Sequence, residues 1–515
     1  MKAPLLSTLN IRLLALRAAV MFAGGGFGAG SAFGAEATKD GPCLPRLSPD
    51  YTGITIPPNI APLNFRVAEP GKRFRVELRS TRGEAVVVNS RSPAICFPLH
   101  AWQNLLHANA GEPLRCEVSV QDAGGRWNTF QTVTNVIARE EIDRTLVYRL
   151  LKPLYNVYVN VGLYQRNLES FDERPVIENK RFGKGCVNCH TPLNHKSDTF
   201  AFNIRGTTNA QPMILVCSNK AVRVDKTMGY LSWHPSGRLI AFSANKLSLF
   251  YHTQPRNETR DVFDASSRLG IYRVDSNTFS HPPPVALTNR NETWPSWSPD
   301  GRYLYFCSTQ PVSTDDFRQV RYDLMRVAYD LERDVWGEPE TLLSAAVSGA
   351  SAAQPRVSPD GRLLLFTLCK YGNFPIYQTS ADLFVMNLET RQVTRPEINS
   401  DRADSWHCWS TNGRWVVFSS KRMDGLFARP FFTYVDAKGR FHKPFLLPQA
   451  DPAFYDSYLK TFNVPELVNG IITTSEDILA QTITHPEKPL VPQAAVQSGT
   501  PAQLPSENNT ERSHH

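Results

Sequence analysis

A 14-residue pattern that occurs four times constrains the fold of this chain more than any other feature of its 515 residues. Each copy consists of an apolar strand, a tight turn of the Ser-Pro-Asp-Gly type and a second apolar strand. Proline presets φ in such a turn and glycine supplies a positive φ, so each copy predicts a β-hairpin. The copies are Tyr230–Ser243, Trp294–Cys307, Gln354–Thr367 and Trp406–Ser419.

The spacing of these copies predicts a β-propeller. Their turn glycines, which lie 64, 60 and 52 residues apart, are Gly237, Gly301, Gly361 and Gly413. Further strand-like segments stand between the copies, at 270–275, 323–327 and 382–387. Repeated groups of four strands are the sequence signature of propeller blades. Residues 199–226, 427–448 and 451–470 offer strands for further blades, so the prediction is a mainly β fold with a six-bladed propeller over 199–470.

The rest of the chain divides into four parts. Residues 36–138 are rich in strand-like segments around a short helix at 98–108, which predicts a small β-sandwich-like domain. Residues 139–198 carry apolar residues near helical spacing, including Leu146 and Leu150, and are predicted to be a helical segment. Residues 471–515 form a C-terminal segment whose proline-rich tail, from His485, is predicted to be disordered. Residues 1–35 have a different character.

Residues 1–35 have the pattern of an export signal. Lys2, Arg12 and Arg17 precede an apolar stretch that ends in small residues, and cleavage is expected near Ala35. A retained membrane anchor is the alternative, but this glycine-rich stretch is shorter than the roughly 20 strongly apolar residues that a membrane span needs. The sequence therefore predicts a periplasmic protein with no transmembrane span in the mature chain.

The charge of the chain argues against nucleic-acid binding. The formal net charge of +8 falls to +5 without the three basic residues of the signal. No basic run or alternation of basic and aromatic residues accompanies this modest excess. We therefore predict no nucleic-acid partner.

The sequence Cys186-Val-Asn-Cys189-His190 has the form of a c-type haem attachment motif. Its two thiols form thioethers with the porphyrin, and the adjacent imidazole becomes the proximal ligand of the iron. A thioredoxin-like redox pair normally opens a helix in a βαβ unit, and a structural zinc site needs a second pair of ligands. The sequence offers neither context and no second C-x-x-C-H, so we predict one covalent haem c.

The sequence leaves the second axial ligand of the iron open. His234, His252 and Met228 are the candidate distal ligands. His234 departs from its own repeat, because the other three copies carry serine at that position, but an isolated histidine is more often structural and caps a turn. His407 also departs from its repeat, where the second copy has Pro295.

Seven cysteines lie outside the haem motif. An exported chain can form disulfides, and Cys96 with Cys116 is a plausible pair. Cys307 and Cys369 end apolar strands and are predicted to be buried thiols.

The repeat resembles that of the TolB-like propellers, in which strands flank a Trp-Ser-Pro-Asp-Gly-type turn, usually in six blades. From about residue 50 to 470 the chain resembles a group of bacterial exported TolB-like propeller proteins that carry a single C-x-x-C-H. The segments that carry this resemblance are 147–151, 164–173, 185–190, 232–235, 242–245, 404–407 and 463–466. It implies a periplasmic, haem-bearing propeller and assigns no reaction.

The predicted function is electron transfer or haem-based sensing, with the propeller as a docking platform for a periplasmic redox partner. Two alternatives stay open: a TolB-like interaction scaffold with a structural haem, and a haem enzyme with an open distal site. No catalytic residue is predicted, because no carboxylate pair, Ser-His-Asp order or phosphate-binding loop stands in a supporting context. The sequence does not determine the oligomeric state.

Overall fold

The structure is a computed structural model that describes residues 43–152, 159–206, 211–251, 260–286 and 289–495. The predicted export signal, His252 and the end of the proline-rich tail lie outside these residues.

Residues 43–138 form two β-sheets and one helix, α1 (Leu99–Ala108). The strands are β1 (Leu47–Ser48), β2 (Thr55–Ile56), β3 (Phe65–Val67), β4 (Arg73–Arg79), β5 (Val86–Ser90), β6 (Ala94–Ile95), β7 (Pro113–Gln121), β8 (Trp127–Thr129) and β9 (Val133–Ile137). One sheet has the order β1-β3-β6, and the other has the order β2-β9-β7-β4-β5 with β8 paired to β7. The β-rich character and the helix predicted at 98–108 are confirmed.

Six further sheets each contain four antiparallel strands that are neighbours in the sheet. In five of these sheets the four strands also follow one another along the chain, and the first sheet is the exception. The first sheet takes β10 (Thr145–Leu151), β11 (Gly162–Asn167) and β12 (Glu173–Glu178) from its own stretch. The second has β13 (Cys186–Pro192), β14 (Phe200–Arg205), β15 (Met213–Cys217) and β16 (Lys220–Val224). The third has β17 (Gly229–Trp233), β18 (Leu239–Tyr251), β19 (Arg260–Arg273) and β20 (Thr278–Ser280), followed by α2 (Pro283–Ala286).

The same order continues in the last three sheets. The fourth has β21 (Asn291–Trp297), β22 (Tyr303–Thr309), β23 (Asp323–Asp330) and β24 (Val335–Leu343), followed by α3 (Ala345–Ser348). The fifth has β25 (Ser351–Val357), β26 (Leu363–Cys369), β27 (Asp382–Asn387) and β28 (Val393–Thr394). The sixth has β29 (Asp404–Trp409), β30 (Trp415–Ser420), β31 (Arg429–Tyr434) and β32 (Phe445–Leu446). After α4 (Phe454–Ser457) come β33 (Thr461–Val468), α5 (Glu476–Thr484) and β34 (Gln493–Ala494).

The C-terminal part of the chain completes the first sheet. Strand β33 pairs antiparallel with β10, from Thr145 opposite Val468 to Leu151 opposite Thr461. Strand β13 contacts β17, and the same contact continues from β17 to β21, β25, β29 and β33. Strand β33 in turn contacts β13, so these six inner strands make a closed ring. The fold is therefore mainly β and of the propeller type.

The repeated turns have the geometry that their sequence predicts. In the fourth sheet the Ser298 hydroxyl donates to Asp300 at 2.5 Å and accepts the backbone N–H of Tyr303 at 3.0 Å. Gly301 has φ 72°, in the left-handed region that favours glycine. Ser358 and Ser410 make the corresponding bonds in the next two sheets.

The segment predicted to be helical is built from strands. Residues 145–151 form β10, whose seven side chains are all buried. A strand buried on both faces has no polar alternation, and a spacing of four residues, as between Leu146 and Leu150, fits both a helix and one face of a strand. The described part of 139–198 contains no α-helix, and the C-x-x-C-H motif lies on the inner strand β13.

The N-terminal sheets pack against the sixth sheet of the ring. The Tyr51 hydroxyl donates to the carbonyl of Leu446 at 3.3 Å, and the indole of Trp415 donates to the carbonyl of Glu140 at 3.0 Å. Apolar residues of both parts share one core cluster.

Two further expectations differ from the structure. Cys96 is exposed and Cys116 is buried, and both thiols are free rather than bonded to each other. The tail predicted to be disordered from His485 starts with ordered chain, because Leu490 bonds Arg223 and Asp225 and β34 pairs with β20. Cys307 and Cys369 are buried thiols, as predicted. No helix in the described ranges is long and apolar enough to cross a membrane.

Candidate functional site

Each inner strand of the ring carries one residue with a positive φ. These residues are Cys189, Tyr230, Trp294, Gln354, Trp406 and Val464, with φ between 47° and 55°. At each of them the pairing with the neighbouring strand loses register, as in a β-bulge. A bulge bends a strand and changes the direction of its side chains, and bulges often lie beside functional sites.

The six bulges surround a cavity of about 40 Å³, because every inner strand contributes its bulge residue to the lining. Residues that follow the bulges also line the cavity, including His190, His407, Arg356 and Glu466. The fold thus brings to one place polar and aromatic side chains from six separate parts of the sequence.

His190 lies in this cavity wall and is only 4% exposed. Neither of its ring nitrogens makes a hydrogen bond of ordinary geometry, although the backbone of Val147 lies close enough to the ring to raise its pKa against the effect of desolvation. Desolvation lowers the pKa of the imidazole to about 4, so the ring is neutral at pH 7. One nitrogen of a neutral ring carries a proton and the other a lone pair, and neither makes a hydrogen bond of ordinary geometry here.

The two cysteines of the motif are buried, and neither forms a disulfide. Arg149 of β10 donates from Nη2 to Sγ of Cys186 at 2.9 Å and from Nη1 to the Asn188 side chain at 3.3 Å. Cys189 lies in an apolar cluster with Tyr230 and Trp294. All three motif residues therefore lie on β13, with Cys189 and His190 at the cavity and Cys186 against the first sheet.

Aromatic side chains fill the space next to Cys189. Tyr230 and Trp294 stack with ring centroids 3.8 Å apart, and Trp294 meets Trp406 edge to face at 5.0 Å. The Trp294 indole donates to the carbonyl of Asn373 at 2.8 Å. These contacts exclude bulk water from this side of the cavity.

An ion pair and a second histidine occupy another part of the wall. Arg356 donates to the buried carboxylate of Glu466 at 2.7 Å. The Nε2 of His407 contacts the carbonyl of Leu365 at 3.0 Å, whereas its Nδ1 has no partner. Desolvation, with a smaller contribution from Arg356, lowers the pKa of His407 to about 3.

The structure does not bring His234 or Met228, two of the predicted distal ligands, to this cavity. The Nδ1 of His234 bonds the Ser236 hydroxyl at 2.8 Å and its Nε2 faces the carbonyl of Gly301 at 3.2 Å. His234 and Ser236 therefore take the turn-forming roles that Ser298 and Asp300 have in the next sheet. Met228 is packed in an apolar cluster away from the cavity lining, and His252 lies outside the described residues.

A buried acid lies near the aromatic side of the site. Asp264, on the extended hairpin of β18 and β19, is 1% exposed and accepts from Asn245 at 2.8 Å and from Asn373. Its other oxygen has no partner. Desolvation raises the pKa of Asp264 to about 7.

Sequence reasoning missed Asp264, Arg356 and Glu466 as parts of this region. Alignment of the four repeats gives a signal for Arg356, because serine occupies its place in the first two copies. Glu466 and Asp264 lie outside the repeated hairpins and carry no such signal.

The donor set of the motif has the chemistry of a covalent haem site, because two thiols without a disulfide and a neutral imidazole stand at the required sequence spacing. Only Cys189 and His190 line the cavity, whereas the Cys186 thiol accepts from Arg149 outside it. The space around them is small, since about 40 Å³ holds a few water molecules. A porphyrin at this place therefore displaces side chains that now line the cavity. In the described ranges, no three His, Cys, Asp or Glu side chains come together as a metal-ion site made of protein ligands alone.

No protein-family model and no curated protein matches this sequence. Among solved structures, the tricorn protease is similar at 12% identity and a TM-score of 0.28, over 64% of this chain and 33% of that one. Prolyl oligopeptidase B from Galerina marginata is similar at 9% identity and a TM-score of 0.33, over 65% of this chain and 42% of that one.

The β-propeller domain of Cps50 (Swd1) from Myceliophteria thermophila is similar at 12% identity and a TM-score of 0.30, over 50% of this chain and 71% of that domain. This chain therefore spans less than half of the tricorn protease and prolyl oligopeptidase chains that it matches. With TM-scores this low, the assignment of a propeller-type fold rests on the strand pairing and on the ring of inner strands.

Proposed function

We propose that this chain is an exported, six-bladed propeller of the TolB-like kind that carries one covalent haem c and transfers electrons in the periplasm. The blade count is supported by the six sheets that each contain four antiparallel strands and by the ring of their inner strands. Export is supported by the signal-like sequence of residues 1–35.

The observation that carries the haem proposal is the environment of His190. A buried polar group without a partner costs about 1–3 kcal/mol, and native structures seldom leave one unsatisfied. Both ring nitrogens of His190 are in that state, next to two free thiols at haem-attachment spacing. A haem iron bound at His190 satisfies one of the two nitrogens.

The chain's own residues have distinct roles in this proposal. A bound haem supplies a one-electron couple at its iron. Cys186 and Cys189 would hold the ring through thioethers, and His190 would offer the iron a nitrogen that desolvation keeps neutral. The aromatic side chains of Tyr230, Trp294 and Trp406 exclude water, which affects the potential of a redox centre.

The size of the cavity favours electron transfer over catalysis on a bound substrate. Pockets for small molecules enclose roughly 300–1,000 Å³, whereas this cavity has about 40 Å³ before any ring is bound. Electron transfer needs a docked protein partner and no entry of substrate to the iron. We propose the surface of the propeller as the docking platform for that partner.

The test is to express the chain in a bacterial host with the c-type haem maturation machinery and to measure covalent haem. Haem staining of a denaturing gel and the pyridine haemochrome spectrum report attachment. Cys186→Ala and Cys189→Ala each remove one thioether, and Cys96→Ala, at an exposed free thiol, is the matched control.

We expect covalent haem in the wild type and in Cys96→Ala, and an altered pyridine haemochrome band in each single motif variant, because one thioether is lost. The double variant should carry no covalent haem. A wild-type protein exported without covalent haem would disprove the haem proposal. If the haem cannot be reduced and reoxidised reversibly in a voltammetric titration, its role would be structural and the proposed electron transfer would be disproved.

A further inference from the structure

The residue after each bulge distinguishes two of the six inner strands. Three of the strands carry proline at this place and one carries leucine: Pro295, Pro355, Pro465 and Leu231. The remaining two carry His190 and His407. The imidazole that follows Cys189 therefore has a counterpart at the equivalent position of another sheet, and both line the cavity.

The hydrogen bonding of His407 determines its tautomer. A carbonyl oxygen only accepts, so the contact of Nε2 with the Leu365 carbonyl at 3.0 Å requires the proton on Nε2. The lone pair is then on Nδ1, which is buried and makes no hydrogen bond of ordinary geometry, although the backbone of Gln354 lies close enough to the ring to raise its pKa against the effect of desolvation. An imidazole that donates one N–H to a carbonyl and keeps its other nitrogen free has the arrangement found in metal-ligating histidines.

No other group of the cavity wall offers an equivalent nitrogen. His190 and His407 are the only imidazoles among the described residues that line the cavity. The neighbouring charged groups, Arg356 and Glu466, are paired with each other at 2.7 Å. Two of the candidates predicted from the sequence do not line the cavity: both nitrogens of His234 are engaged at its turn, and Met228 packs in a separate core cluster. The third, His252, lies outside the described residues.

We infer that His407 would serve, through Nδ1, as a second protein ligand of the haem iron in addition to His190. This inference rests on the proposed haem. It makes the iron six-coordinate and low-spin, with two imidazole ligands, which is the state suited to electron transfer rather than to the binding of small ligands.

The test uses the haem-loaded full chain and compares His407→Ala, His407→Gln and His234→Ser. Glutamine retains an N–H group that can donate to the Leu365 carbonyl but removes the ring nitrogen. Serine at 234 is the residue that the other repeats carry there, which makes this variant the matched control. The measurements are covalent haem content, the optical and electron paramagnetic resonance spectra, and the shift of the reduced spectrum with carbon monoxide.

We expect the wild type and His234→Ser to be low-spin and unaffected by carbon monoxide. His407→Ala and His407→Gln should keep their covalent haem, become high-spin in the ferric form and bind carbon monoxide. Added imidazole should restore the low-spin spectrum of His407→Ala, which shows that the variant is folded around an open site.

Haem-loaded His407 variants that stay low-spin and do not bind carbon monoxide would disprove this ligand while leaving the haem proposal intact. Carbon monoxide binding by the haem-loaded wild type would also disprove His407 as a ligand and leave the haem proposal intact. The absence of covalent haem from the wild type would instead disprove the proposed function itself.

Discussion

His190 and His407 occupy the same position in two sheets, one residue after the bulge of the inner strand, although more than 200 residues separate them in the sequence. Both are neutral at pH 7, and three of their four ring nitrogens lack a hydrogen-bond partner. Buried nitrogens without hydrogen-bond partners destabilise the folded state unless a bound group interacts with them.

Removal of the haem should therefore destabilise the protein. We expect the wild-type chain produced without the maturation machinery to unfold several degrees below the haem-loaded form, because the iron–histidine bonds and the packing contacts of the haem form only in the folded state, whereas the thioethers persist in the unfolded chain. Differential scanning calorimetry of the two preparations makes the measurement. Equal unfolding temperatures would show that the haem contacts contribute nothing to folding.

Asp264 should make stability fall as the pH rises. Its pKa is raised from the ordinary 3.8 to about 7 by desolvation, against the favourable effects of Asn245, Asn373 and Arg205. Between these values the folded state holds a proton that the unfolded state has lost, so the free energy of unfolding decreases from about pH 4 to pH 7. The total loss is on the order of 4 kcal/mol.

Asp264→Asn cannot ionise and should be more stable than the wild type at pH 8 by this order, with little difference at pH 4. Urea unfolding at both pH values measures the change. Asp360→Asn is the matched control, because the pKa of the Asp360 turn carboxylate is lowered by hydrogen bonds that outweigh its desolvation, and Asn412 fills the same place in another repeat. The Asp360→Asn variant should have a small effect of the opposite sign, so that above pH 4 it is slightly less stable than the wild type. An Asp264→Asn variant with the wild-type pH profile would contradict the prediction.

Arg356→Met should lower the free energy of unfolding by about 3 kcal/mol, because it leaves the Glu466 carboxylate buried without its partner. The double variant Arg356→Met with Glu466→Leu should recover part of this loss. Urea unfolding at pH 7 provides the measurement. The exposed pair of Arg362 and Asp360 gives a control, since Arg362→Met should change stability by less than about 1 kcal/mol. Equal effects of the two single variants would show that burial of the pair does not matter.

Removal of the last strands should separate ring closure from peripheral pairing. A chain that stops after Pro492 loses β34, whose two residues are exposed, together with the residues that follow it, and should unfold within about 2 °C of the full chain. A chain that stops after Lys460 loses β33, which is buried over its whole length and pairs with β10. We expect this chain to show no cooperative unfolding in calorimetry. A cooperative transition near the wild-type temperature would mean that β33 is not needed to close the ring.

The repeated hairpins could be read from the sequence because each is a local structure. The Ser-Pro-Asp-Gly turns, the apolar strands on either side and the strands at 323–327 and 382–387 depend on neighbours within a few residues, and the structure has them where the pattern predicts. The spacing of Cys186, Cys189 and His190 is likewise local, so the haem prediction needed no fold.

The remaining features depend on pairing between distant parts of the chain. Strand β10 pairs with β33, which follows more than 300 residues later, and is buried on both faces, with Leu146, Tyr148 and Leu150 in one core cluster and Val147 in another. Its sequence therefore has no alternation and resembles a helix. His234 was a candidate ligand because it departs from the repeat, and only its contacts with Ser236 and Gly301 show its structural role.

The sequence by itself determined the propeller-type repeat and the motif that can hold a haem, since both are patterns of consecutive residues. Only the tertiary structure decided that Cys186 to His190 form an inner strand, that β33 closes the first sheet, and that His407 shares a cavity with His190. The reason is physical: closure of the ring brings together one bulge from each of six strands, and no local propensity encodes which residues meet at its centre.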